Sequence, residues 1–135
     1  MKRISIILCI LLAVTIIIDS CKKKTEPVTN VDPTGAWSGT YTATGASTSA
    51  AVFMTFSANG VLKLCYNPNC TQSFSGTWNV SADKISGDYT LPNQDGTTTK
   101  VYYKGTFSAD SKTLDATYGL TSDGTGSGTM KLTKQ

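Results

Sequence analysis

Gly76-Thr77-Trp78-Asn79-Val80-Ser81-Ala82-Asp83-Lys84-Ile85-Ser86-Gly87-Asp88-Tyr89-Thr90-Leu91 is the stretch that decides the fold. Trp78 and Val80 are separated by one polar residue, and Ile85, Gly87, Tyr89 and Leu91 recur at the same spacing. Successive side chains of a strand point to opposite faces, so this alternation describes two half-buried strands. Ser81-Ala82-Asp83 between them carries turn chemistry. No helical period of 3.6 fits the run.

The same period extends in both directions. Upstream, Trp37, Gly39, Tyr41 and Ala43 share one face, as do Val52, Met54 and Phe56, then Leu62, Leu64 and Tyr66. Phe74 and Gly76 lead into the quoted stretch. Downstream come Val101, Tyr103, Gly105 and Phe107, then Leu114, Ala116 and Tyr118, and finally Gly128, Met130 and Leu132. Ala58-Asn59-Gly60, Pro92-Asn93-Gln94-Asp95-Gly96 and Ser108-Ala109-Asp110-Ser111 supply turns between these runs. About eight strands with hairpin-length links and no helical crossover predict an antiparallel meander over residues 35–135. Such a meander must close or expose two edges. Closure into an all-β, up-and-down antiparallel barrel is the expected solution.

Two repeated phrases accompany the pattern. Glycine, threonine and a large apolar residue recur at Gly39-Thr40-Tyr41, Gly76-Thr77-Trp78, Gly105-Thr106-Phe107 and Gly128-Thr129-Met130. Inward glycines inside strands point to tight coiling of the sheet, or to close backbone approach. The second phrase is Phe56-Ser57-Ala58-Asn59, Val80-Ser81-Ala82-Asp83 and Phe107-Ser108-Ala109-Asp110, each closing one strand and opening the next.

Gly35-Ala36-Trp37-Ser38-Gly39-Thr40-Tyr41 resembles the Gly-x-Trp opening of lipocalin and calycin barrels, including the small lipocalin-like domains of bacterial lipoproteins. The resemblance implies a barrel that binds a small hydrophobic ligand. The inward aromatics Trp37, Tyr41, Phe56, Trp78, Tyr89, Tyr103, Phe107 and Tyr118, with Phe74, are then the candidate ligand-binding residues. Aromatics line apolar pockets, but they also fill small barrels solidly. In that second case the chain would be a protein-binding module of the envelope, an inhibitor or an assembly accessory. The inward glycines favour space.

The chain begins Met1-Lys2-Arg3, followed by an apolar run from Ile4 to Ile18 and then Asp19-Ser20-Cys21. This resembles the signal peptide (1–20) and lipobox of a bacterial lipoprotein, with Asp19 where the box usually carries an uncharged small residue. The resemblance implies lipidation of Cys21 by acyl chains such as palmitate, and residence in the cell envelope, at the outer membrane of a Gram-negative bacterium. The apolar run is shorter than the roughly 20 residues that a spanning helix requires. Each buried methylene of an acyl chain contributes about 0.8 kcal/mol, so several chains anchor stably. Residues 21–34, with Lys22-Lys23-Lys24, Pro27 and Pro33, read as a flexible tether. The three lysines suit anionic headgroups.

Twelve basic and nine acidic residues give a net charge of +3, and no histidine occurs. No basic face suited to nucleic acid is visible. Without histidine the commonest general base and metal ligand is missing, and no cofactor or metal site is expected. No serine sits in G-x-S-x-G or S-x-x-K, so a non-enzymatic role is expected. Asp83, Asp95, Asp110 and Asp123 occupy turns, where they are expected to hydrogen-bond backbone. Cys65 and Cys70 flank the turn Tyr66-Asn67-Pro68-Asn69, and a disulfide is expected between them in an oxidising compartment. Their spacing is not C-x-x-C.

Overall fold

The computed structural model describes residues 30–135; the signal-like segment and Cys21 lie outside them. Eight strands follow in chain order: β1 (Gly35–Ala43), β2 (Ala50–Phe56), β3 (Val61–Cys65), β4 (Ser73–Ser81), β5 (Lys84–Pro92), β6 (Thr98–Phe107), β7 (Thr113–Gly119) and β8 (Gly128–Lys134). Each pairs antiparallel with the next, and β1 pairs with β8, closing the barrel. The expected all-β up-and-down architecture is the one formed. In the stretch that decides the fold, Trp78 faces Gly87 and Val80 faces Ile85 across the β4–β5 ladder. Ala82 turns the chain with φ 59°.

A meander returns alternate links to the same end, which gives this barrel two different ends. The links at 57–60, 82–83 and 108–112 are short and share one end, called here the floor. All three Ser-Ala phrases therefore lie together. The links at 44–49, 66–72, 93–97 and 120–127 surround the opposite end, the mouth.

The floor is sealed by aromatic packing. Trp37 is 1 % exposed, and its ring lies 5.5 Å from Phe107 and 6.2 Å, edge-on, from Phe56. Truncating such a buried aromatic costs about 3–5 kcal/mol. The indole Nε1 donates to the Pro33 carbonyl at 2.8 Å, so its buried polar atom is satisfied. Of the segment 21–34 expected as a tether, residues 30–34 are described and cross beneath the floor. The Val31 amide donates to the Ala82 carbonyl at 2.9 Å, and Asn30 Oδ1 accepts from the Ala82 amide at 2.7 Å. Trp78 stands above Phe56 and donates to the Ser57 carbonyl at 3.0 Å.

The inward glycines do not leave space, contrary to the sequence expectation; neighbouring strands fill it. A Cβ at Gly39 would fall on the Lys131 carbonyl oxygen, and one at Gly76 on the Asp88 carbonyl oxygen. At Gly105 a Cβ would lie 2.6 Å from Leu114 Cδ1 and 2.8 Å from Ala116 Cβ. Glycine here permits close backbone approach, the alternative use foreseen for it.

Gly76→Ala is expected to destabilise the protein by about 2 kcal/mol or more, because backbone rather than a flexible side chain blocks the added methyl. The exposed neighbour substitution Ser75→Ala should stay within about 0.5 kcal/mol. Denaturant midpoints of the two variants check this.

Candidate functional site

The barrel interior opens at the mouth. A cavity of about 190 Å3 there is lined by Tyr41, Tyr66, Tyr89 and Tyr118, with Val52, Leu64, Leu91, Val101, Leu120, Ser127 and Met130. It is smaller than the roughly 300 Å3 typical of drug-sized ligand sites. Strand alternation explains the lining. Tyr41 on β1, Tyr89 on β5 and Tyr118 on β7 all occupy inward positions near the mouth ends of their strands.

The aromatic walls meet at steep angles. Tyr41 lies 5.4 Å from Tyr66 at 53° and 6.3 Å from Tyr118 at 76°. Tyr66 in turn leans on Phe74 at 5.6 Å. Burial pushes the Tyr66 hydroxyl above its ordinary pKa, against the lowering effect of hydrogen bonding toward Tyr89. Burial also raises Tyr118, helped by Tyr41 beside it, and raises Tyr89 strongly, with Tyr66 adding to the effect. These phenols are therefore neutral at physiological pH. Among the described residues, no charged side chain lines the cavity.

The disulfide expected from the sequence is present between Cys65 and Cys70, whose Cα atoms are 5.3 Å apart. It closes the loop that carries Tyr66. The Asn67 side chain ties the same loop, donating to the Thr71 hydroxyl at 3.0 Å and accepting from the Thr71 amide at 3.1 Å. Tyr66 follows directly on Cys65, so the staple holds its ring at the cavity wall.

Of the aromatics singled out from the sequence, Tyr41, Tyr89 and Tyr118 reach the cavity. Tyr103 lies behind Tyr89, ring centres 6.4 Å apart, with its hydroxyl donating to the Thr77 carbonyl at 3.1 Å. Burial raises its pKa strongly, with Asp88 contributing. Trp37, Phe56, Phe107 and Trp78 belong to the floor and do not line the cavity. Tyr66, Leu91, Val101, Leu120 and Met130 are lining residues absent from the sequence-derived set. The alternation Leu62, Leu64, Tyr66 contained the signal for Tyr66. Leu120 lies in the link at 120–127, beyond any strand period.

A larger, open hollow of about 670 Å3 lies on the outer face of β4–β8. Outward Ser86, Thr106 and Thr117 contribute to its lining, together with Lys84, Lys104, Lys131 and Asp115. Lys131 pairs with Asp115 at 3.2 Å, while Lys84 and Lys104 form no salt bridge among the described residues.

The acids behave as turn and surface groups. Hydrogen bonds from Thr97 to Asp95, from Ser108 and the Lys112 amide to Asp110, and from Thr121 and Thr125 to Asp123 hold all three carboxyls below their ordinary pKa. Asp88, on an outward strand position, pairs with Lys100 at 3.2 Å. Among the described residues, no group of three metal-ligating side chains converges. No protein-family model, no curated protein and no solved structure matches this chain.

Replacing both Cys65 and Cys70 by serine is expected to cost about 2 kcal/mol, the entropy of closing so short a loop. Tyr66 should then become more accessible to iodination or nitration, while Tyr103 stays protected at the barrel interior. Equal tyrosine reactivity in the oxidised protein and the variant would show that the staple does not hold the wall.

Proposed function

We propose that this chain is a cell-envelope lipoprotein whose barrel mouth binds a small hydrophobic ligand. The mouth cavity carries this reading. It is apolar over most of its wall, lined by four tyrosines and bordered on one side by Tyr66 next to the Cys65–Cys70 disulfide. Concave apolar sites with a few placed polar groups are the usual form of a small-molecule site. At about 190 Å3 the space suits a single-ring ligand rather than a fatty acid held along its length. The closed eight-stranded barrel, opening with Gly35-Ala36-Trp37 at a sealed floor, is compatible with a lipocalin-like fold.

Lipid anchoring rests on the sequence around Cys21. The described chain enters beneath the floor at Asn30, so a tether to Cys21 would leave from the end opposite the mouth. The ligand site would then open away from the anchor.

A second reading has the surface binding a protein partner. It is favoured by the packed floor and by the outer hollow of about 670 Å3 beside Lys84 and Lys104. Charge reversal at Lys84 and Lys104 would weaken such a partner without touching the mouth.

Cys21→Ala is expected to leave unprocessed precursor or to release the protein into the soluble fraction. Normal processing and membrane recovery of that variant would rule out the lipid anchor. Toluene titrated into the protein should shift the ring-proton resonances of Tyr41 and Tyr118 saturably and leave Trp37 fluorescence unchanged. Leu64→Trp, with circular dichroism unaltered, should fill the cavity and remove the response. Persistence of the shifts in that variant would place the probe outside the barrel.

A further inference from the structure

We propose that the mouth selects a methylated ammonium group, an inference that rests on the mouth being a ligand site at all. Three independent features converge on that chemistry.

The first is the shape and identity of the walls. Tyr41, Tyr66 and Tyr118 present rings at 53° and 76° to one another around a space of about 190 Å3. Aromatic faces carry negative quadrupole density, and rings set at an angle form a box that attracts a cation. Cages of this kind hold quaternary ammonium groups.

The second is that the lining offers hydroxyls but no carboxylate to pair with a primary ammonium. Besides the four phenols, Ser127 is the sole polar side chain in the lining. A primary ammonium has three N–H donors to satisfy, and burying them unpaired is costly. A trimethylammonium group has none. It presents methyl groups to Val52, Leu64 and Met130 and spreads its charge over the rings.

The third is the charge of the rim. The links surrounding the mouth, at 44–49, 66–72, 93–97 and 120–127, contain Asp95 and Asp123 and no lysine or arginine. Both carboxyls are held below their ordinary pKa, first by threonine hydroxyls (Thr97 for Asp95, Thr121 for Asp123), so both are ionised at neutral pH. Lys104 on β6 stands near Asp123 and offsets its charge, so Asp95 carries the negative charge of the rim. Negative charge at a low-dielectric opening draws cations toward it and disfavours anions.

The same group occurs on a free metabolite such as choline and on a phosphatidylcholine headgroup. Isothermal titration of the full-length chain with choline, and with its neutral carbon isostere 3,3-dimethylbutan-1-ol, tests the charge directly. Choline is expected to bind about tenfold more tightly than the isostere, and ethanolamine more weakly than choline. Tyr41→Leu keeps an apolar wall but removes one ring, and should weaken choline about fivefold while leaving the isostere unchanged. Competition by phosphatidylcholine vesicles would assign the headgroup source, and its absence the free cation. Equal binding of choline and the isostere would overturn cation selection and leave an apolar mouth site standing. If neither ligand binds, nor toluene, both the cation selection and the mouth site fall.

Discussion

The β1–β8 seam, running from Trp37 opposite Lys134 to Ala43 opposite Gly128, is the constraint on which the rest of the barrel depends. Without it the meander would be an open sheet with two unpaired edges and one wet apolar face. Closing eight strands requires the sheet to coil tightly, and the glycines mark where it does so. Gly39 lies on the seam itself, where a side chain would collide with the Lys131 carbonyl. Gly76 plays the same part between β4 and β5, against Asp88. Close backbone approach, rather than interior volume, is the use of these residues.

Closure also separates the interior into two environments. At the floor, Trp37, Phe56 and Phe107 meet under short links, and the strap at residues 30–34 covers them from below. At the mouth the links are longer and four tyrosines, Tyr41, Tyr66, Tyr89 and Tyr118, line the opening. The packed floor gives the rigid frame on which a wall of tyrosines can be held, as binding groups are best held on fixed elements. The disulfide then fixes Tyr66, a wall residue that stands just beyond the end of its strand.

The polar residues divide between the same two tasks. Asp95, Asp110 and Asp123 tie their own turns through nearby hydroxyls and amides. Lys100–Asp88 and Lys131–Asp115 sit on the outer face, where exposed pairs contribute little stability. Asp95 does both things, ordering a rim link and charging it.

By itself the sequence determined the number of strands, their order, the antiparallel meander and the Cys65–Cys70 staple. These features follow from period-two alternation and turn chemistry, which are local properties written along one dimension. It also marked the inward aromatics Trp37, Tyr41, Phe56, Phe74, Trp78, Tyr89, Tyr103, Phe107 and Tyr118, though not Tyr66. Only the tertiary structure decided which of them became floor and which became wall, because that depends on the register of each ladder and on which end its link occupies. Tyr41 and Trp37 share one face of one strand and differ by four positions, yet one lines the cavity and the other seals the barrel. Leu120 joined the wall from a link with no pattern to read, and the glycine positions were filled by neighbouring backbone. Both outcomes are set by how strands approach one another in space, a distance that residue identity along the chain does not encode.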